Sequence, residues 1–453
     1  MVTKPAIAAI KTCHNRKDNT VKKILISHTG GNSNTRGAVY GLLANGMLHS
    51  FHICVAVFQN AWYYPLLYLR PLQIFKRRTF KDEVRPFTFT YPWRELGRQI
   101  ASKLKRDNLV TGETSPFCTY MVCKQVDNGV AHYVAKKHDE LSAVYCYEDI
   151  AVNTFREAKR HGIKCIYDLP IGYWRYMIQI LEEEGKLNPD WAVTLGGLTD
   201  SEEKHATKDE ELRLSDKIYV ASSFTKRSLE LYPGTLPDIE VIPYGFPPVN
   251  EKRKYKPYGN RKIKALYVGG LSQRKGISYM FDAIKGLEEN VELTVIGSGN
   301  TDACSALKDA LTHVNYLGTL AHDKVLEVMA EHDVFIFPSL FEGFGLVITE
   351  AMSQGTPVIT TDRTCGADII TNGKDGWIVE AGTSDPIRKL LLQFIENPEQ
   401  LQTIGKAAMN TARRRPWKCY EDELAESVMK YLKENKSTEE EAGTCGSNCP
   451  NHH

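Results

Sequence analysis

The sequence predicts an α/β protein built from two Rossmann-like domains that face each other across a cleft. Three observations carry that prediction. At 453 residues the chain exceeds what one hydrophobic core organises, so two domains of about 200 residues each are expected. Apolar runs such as Val334-Phe335-Ile336-Phe337 are continuous where a one-sided strand would alternate, which marks parallel strands covered on both faces. Such runs alternate with helix-length segments, and this alternation specifies open parallel sheets whose ligands sit beyond the C-terminal ends of the strands.

Composition narrows the class. An apolar content of 42% and a charged content of 25% describe a soluble globular protein. A formal net charge of +2 gives no global pull toward nucleic acid, so any basic partner site must be local. Eleven cysteines, an odd number scattered without a framework, argue for reduced thiols in a cytoplasmic setting. The N-terminal stretch lacks the apolar core of a signal peptide, and no segment offers about 18 uninterrupted apolar residues, so neither a secreted nor a membrane-spanning protein is expected.

Residues 1–21 read as an extension and 22–245 as the first domain. Residues 23–27 (KILIS) form a strand, followed by the loop His28-Thr29-Gly30-Gly31-Asn32 and a helix over 34–44. The loop alone is weak evidence, because the dinucleotide fingerprint of three spaced glycines and a later acidic residue is missing. His28 is either a site residue or an ordinary strand-end histidine. In 62–81, aromatic and aliphatic residues interleave with Arg70, Lys76, Arg77, Arg78 and Lys81. Pro65 and Pro71 break any long amphipathic helix there, leaving two readings: a buried insertion with a solvated basic end, or a peripheral membrane contact. A helix opens at 91–96 and runs to Lys103, and 105–140 receives no role. Strand 143–147, helix 150–161 and strand 164–167 then place Asp168 at a strand's C-terminal end. A charged helix over 201–214, a strand over 217–221, a capped helix start at 222–226 and a strand over 239–243 complete the domain.

The second domain spans 246–415 and opens with a proline-bearing, charged linker over 246–261. Strand 265–268, helix 276–286, strand 292–296 and strand 314–317 lead to the central segment. There the strand 334–337 stops at Pro338, a loop runs over 339–343, and a short helix over 345–352 ends before Gly355 and Pro357. The unpaired amides of that helix's first turn and the positive end of its dipole suit an anion, and Gly343 and Gly345 let a phosphate approach the backbone. Glu342 lies beside the amides, and Glu350 sits roughly 7 Å further along the axis, given a rise of about 1.5 Å per residue. A diphosphate on the amides would place a sugar toward Glu342 and a ribose toward Glu350, each carboxylate accepting from hydroxyls. The bland alternative is a pair of surface glutamates favoured by the helix dipole. Segments 358–361 and 376–379 and helices over 386–395 and 398–413 finish the domain. A helix over 416–436 follows, and 437–453 reads as a disordered tail. The tail's Cys445, Cys449, His452 and His453 are capable of ligating zinc, but no paired CxxC holds them, and no metal site is expected.

The pattern Pro338-Ser339, Glu342-Gly343-Phe344-Gly345, Glu350, then 351–359 (AMSQGTPVI) resembles the donor site of retaining GT-B glycosyltransferases, in particular glycosyltransferase family 4. Residues 268–276 (VGGLSQRKG) are similar to the same family's diphosphate-clamping segment. The resemblance implies a GT-B fold with the last helix crossing back onto the first domain. It implies that Lys275 bridges the donor phosphates as a point charge, and that amides over Gly343, Phe344, Gly345 and Leu346 share that task. Gly30 and Gly31 become the first domain's loop facing the diphosphate. Gly318 and Leu320 mark the place where similar enzymes hold the nucleobase with backbone groups. Arg274 stands in for an arginine that the family often places where this chain has Gly270. Asp168, with Tyr167 and His28 as competitors, occupies the position of the family's sugar-contacting histidine.

The implied activity is transfer of a sugar, with retention, from a nucleoside diphosphate sugar to a hydroxyl of a glycan, lipid or small-molecule acceptor. Glu342, Lys275 and Asp168 are the expected catalytic residues. The donor is a substrate, so no cofactor is expected, and no metal either, since lysine and amides supply the positive charge and the chain has no Asp-x-Asp pair. Two other readings use the same cleft: a nucleotide-sugar epimerase or hydrolase, and a non-catalytic sugar-nucleotide sensor.

Overall fold

A computed structural model describes residues 23–196 and 198–445. The first domain holds β1 (Ile24–His28), β2 (Leu48–Ile53), β3 (Val57–Phe58), β4 (Thr79–Phe80), β5 (Thr88–Thr90), β6 (Ala143–Tyr147), β7 (Lys164–Leu169), β8 (Lys217–Val220) and β9 (Ile239–Val241). Its main sheet runs β5-β2-β1-β6-β7-β8-β9, with β3 and β4 paired separately. The second domain holds β10 (Ile263–Val268), β11 (Val291–Ile296), β12 (Asn315–Tyr316), β13 (Val334–Phe337), β14 (Val358–Thr361) and β15 (Trp377–Val379), ordered β12-β11-β10-β13-β14-β15. Pairing is parallel throughout both sheets. Helices cover both faces, so strands such as β6 and β13 are buried at every position, which is why their sequences do not alternate.

Strand order fixes where ligands can bind. In the first sheet the chain goes from β1 outward to β2 and later returns to β6 on the other side of β1; in the second it does the same around β10, with β11 on one side and β13 on the other. At such a switch point the loops leaving neighbouring strands diverge and open a crevice. The loops after β1, β10 and β13 are therefore the ones topology offers, and they include every glycine loop singled out in the sequence.

The domains are joined by two chain passages lying side by side. Phe246 donates its N–H to the Arg415 carbonyl at 2.8 Å and bridges Pro416. Beyond that point the helix Trp417–Cys445 packs on the helix Ser33–Ala44 so closely that a Cβ on Gly41 would lie 2.2 Å from the Glu421 carbonyl oxygen. A bridge from the first domain runs the other way. The helix Trp174–Leu187 brings Glu184 to Gln273 Nε2 at 2.7 Å and Tyr279 Oη at 2.9 Å, while Ile180, Leu181 and Phe224 share a buried cluster with Tyr279, Leu340 and Phe341.

Three expectations change. The last helix continues through 437–445, past the boundary expected at 436, because its Glu-rich and Ala-containing sequence holds no breaker before Gly443. The remainder of the expected tail, with Cys449, His452 and His453, and the extension of residues 1–21 lie outside the described residues. Residues 105–140, given no role, contain the helix Thr119–Lys137, whose buried Val122, Val126, Val130 and Val134 recur every fourth residue. Residues 62–81 contain two 3₁₀ turns, Tyr64–Tyr68 and Arg70–Arg78; Leu67, Arg78 and Phe80 are buried while Trp62, Tyr68 and Leu69 face solvent, so the segment is a mostly exposed one anchored at a few points and not a buried insertion. Among the described residues no helix is long and apolar enough to cross a membrane, and no three His, Cys, Asp or Glu side chains gather as a metal site.

Candidate active site

The loops after β1, β10 and β13 converge on a cavity of about 350 Å³ between the domains. Asn32, Asn34, Pro170 and Tyr244 line it from the first domain; Gly269, Gly270, Lys275, Glu342, Gly345 and Leu346 are among the residues that line it from the second.

The loop after β13 is held from beneath and from across the cleft. Leu340 N–H and Ser339 Oγ donate to the Arg274 carbonyl at 2.9 and 3.3 Å, and Thr361 Oγ1 donates to the Ser339 carbonyl at 2.6 Å. The Gly343 carbonyl accepts from Ser222 Oγ at 2.5 Å and Thr225 Oγ1 at 3.0 Å, both in the first domain. A Cβ on Gly343 would fall 1.9 Å from the Pro170 carbonyl oxygen, so only glycine permits this approach. Gly345 caps the helix Leu346–Ser353 with φ of 89°, a left-handed conformation that glycine adopts without strain. The turn leaves first-turn amides without helical carbonyls to bond, and the cavity is lined by Gly345, Leu346 and Val347 at that end.

Charge enters through one pair. Lys275 Nζ is in contact with the Glu342 carboxylate, both side chains largely shielded from solvent. Burial first, and then the neighbouring Arg274 guanidinium, push the Lys275 ammonium down to about 6; the adjoining carboxylate opposes this, since an opposite charge in contact favours the ion. An ammonium held by one carboxylate in a site of low polarity is poised to exchange partners for a phosphate, which would leave Glu342 free to accept from sugar hydroxyls.

The other expected residues divide. Arg274 does not point into the cavity: its guanidinium donates to the Phe341 carbonyl at 2.9 Å and holds the loop, while Gly270 stands in open space, with no heavy atom near where a Cβ would be. Glu350, partly buried on the flank of the helix, is paired with the exposed His322 Nε2 at 2.9 Å and does not line the cavity. The Gly318 carbonyl accepts the Gly297 N–H at 2.8 Å, and Leu320 packs partly against the core; neither lines the cavity. Phe344 does line it, its ring tilted against Tyr244 at a centroid distance of 4.7 Å. Gly30 and Gly31 belong to a loop closed on itself. The Gly30 N–H donates to His28 Nδ1 at 2.7 Å, and burial pushes that imidazole down to about 4, so it stays neutral and accepts. His28 is thereby the strand-end histidine.

Asp168 sits at the end of β7 with its carboxyl buried below the cavity rather than facing it. Tyr145 Oη donates to it at 2.5 Å; burial pushes it up to about 7, against the pull of the Tyr145 and Tyr147 hydroxyls. Tyr167 points to the opposite face, donating to Glu211 at 3.0 Å. Sequence reasoning missed Asn32, Asn34 and Tyr244. The signal for the asparagines was their place after the glycine loop; Tyr244 had none, since only the hinge brings it inward, where Asn34 Nδ2 donates to its hydroxyl at 3.3 Å.

Comparison with known proteins bears on the family and the fold. Residues 249–411 match the family described as glycosyl transferases group 1. An uncharacterized glycosyltransferase of Methanocaldococcus jannaschii is 29% identical over 209 residues, covering 45% of this chain and 57% of that protein. The phosphatidyl-myo-inositol mannosyltransferase of Mycobacterium leprae is 29% identical over 158 residues, covering 34% and 42%. These alignments thus span about half the length of the relatives or less. In fold, the Anabaena protein HepE in complex with UDP and glucose aligns over 90% of this chain and 99% of its own, with TM-score 0.57 and 17% identity. Sucrose-phosphate synthase from Thermosynechococcus elongatus aligns over 92% and 100%, with TM-score 0.58 and 16% identity. The chain has a GT-B fold, and its second domain matches the family described as glycosyl transferases group 1.

Proposed function

We propose that the protein is a retaining, cation-independent glycosyltransferase that moves a sugar from a nucleoside diphosphate sugar to an acceptor hydroxyl. The observation that carries this reading is the Lys275 and Glu342 pair beside the open amides of the helix Leu346–Ser353, at the switch point of the second sheet. In the reaction the bond from the anomeric carbon to the phosphate oxygen breaks, its electron pair staying on the diphosphate. The acceptor oxygen bonds to the same face of the carbon and gives its proton to the departing phosphate oxygen. Negative charge grows on the diphosphate, where Lys275 and the amides from Gly343 to Leu346 are placed to stabilise it. Glu342 orients the sugar as it becomes cationic, and Glu350 accepts from the ribose after leaving His322. Asp168, one layer below, positions the strand ends that carry Pro170 and its neighbours. The Ser222 and Thr225 contacts to Gly343 hold the cleft shut around the donor and keep water from competing with the acceptor.

A sensor that binds sugar nucleotides without turning them over is favoured by one feature, the lack of a second cation at Gly270. One experiment separates the readings. Purified protein is incubated with a panel of nucleoside diphosphate sugars and acceptors, and products are followed by mass spectrometry. Transfer from one donor supports the proposal; donor loss only as free sugar points to a hydrolase, and binding without turnover to a sensor.

A further inference from the structure

The helix Trp93–Lys103 is turned inside out. Its buried positions are Glu95 and Ala101, whereas Trp93 and Ile100, with Leu104 just past its end, are spaced by seven and four residues on one face and are 75%, 61% and 65% exposed. Nearby, the segment 62–78 presents Trp62, Tyr68 and Leu69 at 83%, 67% and 57% exposure. Beneath these exposed residues the two segments are tied together by the buried Arg78, whose guanidinium donates to Glu95 on the inner side of the helix at 2.7 Å and to the Thr29 carbonyl at 2.7 Å, next to the glycine loop at the cleft.

Charge is concentrated on the same stretch. Residues 62–106 carry eleven Lys and Arg against three Asp and Glu, a surplus of eight in a chain whose whole surplus is two. Of the three acids, Glu95 is spent on Arg78 and Arg98. Arg77, Lys103, Lys105 and Arg106 are exposed, and none is in an ion pair among the described residues. Exposed indole and aliphatic side chains flanked by unpaired cations suit a surface that is apolar just below a layer of negative charge.

We propose that this face docks the protein on an anionic phospholipid bilayer, with Trp62, Trp93 and Leu104 entering the headgroup boundary and Arg77, Lys103, Lys105 and Arg106 meeting the lipid phosphates. Docking does not depend on the transfer reaction. Arg78 fixes the docked face to the Thr29 carbonyl, so the rim of the cleft that carries Asn32 faces the membrane edge.

The test is co-sedimentation of the full chain with neutral phosphatidylcholine vesicles and with vesicles containing phosphatidylglycerol. The expected result is pelleting with the anionic vesicles alone, weakened by salt, with apparent affinity falling about tenfold or more in Lys103→Glu/Lys105→Glu/Arg106→Glu and in Trp62→Ser/Trp93→Ser. Unfolding temperatures of the variants show that each is folded, and the conservative Lys103→Arg/Lys105→Arg change is expected to retain binding. No pelleting, equal pelleting with neutral vesicles, or unchanged pelleting of the folded charge-reversal variant would overturn the proposal. So would a concentration-dependent dimer that the tryptophan variants abolish, since a second copy would then be the occupant.

Discussion

The loops after β1 and β13 occupy equivalent places, each leaving a buried parallel strand at a switch point and entering a helix through glycines, yet they are built for different work. The loop after β1 is satisfied internally: the neutral His28 accepts from Gly30, and no charged side chain of the loop reaches the cavity. The loop after β13 presents Glu342 against Lys275 and gives its own carbonyl to the opposite domain. Topology thus decides where an anion can bind, and side-chain charge decides which of two similar loops does chemistry. The first loop is a wall and the second an instrument.

That contrast can be broken by mutation. Lys275→Ala is expected to have the largest effect, lowering kcat by roughly a hundredfold or more, because it removes charge from a leaving group that becomes more negative. Steady-state kinetics of the folded variant check it, and near-normal turnover would remove the pair from the reaction. Gly343→Ala places a methyl against the Pro170 carbonyl and is expected to cost about a hundredfold in kcat/KM through a cleft that no longer closes. The matching change in the other loop, Gly30→Ala, brings a Cβ no nearer than 3.5 Å to His28, so less than about a threefold loss is expected. Equal losses in the two alanine variants would contradict the asymmetry. Between them lies Glu350→Ala, which removes a charged acceptor remote from the breaking bond. It is expected to raise donor KM by about 1.5–3 kcal/mol, or roughly ten- to a hundredfold, with kcat nearly unchanged.

Much of this was legible in the residues, for physical reasons. Strands β6 and β13 are continuous apolar runs because helices cover both faces, and the loop after β13 announces itself through glycines and spaced glutamates. The helix Thr119–Lys137 was not legible: its core stripe of valines is interrupted by Asp127, buried because it accepts the Asn153 and Thr154 N–H groups, partners that only the fold supplies. Asp168 shows the limit most clearly. Its place at a strand end follows from sequence, but strand alternation sends Tyr167 to one face and Asp168 to the other, and the tyrosines that enclose its carboxyl come from β6. Arg274 was read as standing in for the family arginine missing at Gly270, whereas the chain uses it to hold the Phe341 carbonyl.

The central claim is that Lys275 and helix amides neutralise the diphosphate without a divalent cation and that transfer occurs on one face of the sugar. NMR of the product, formed from the accepted donor in excess EDTA, tests both parts at once. Full turnover with the anomeric configuration of the donor preserved is the predicted result. Turnover that stops with chelator and returns with manganese, or a product of inverted configuration, would contradict it.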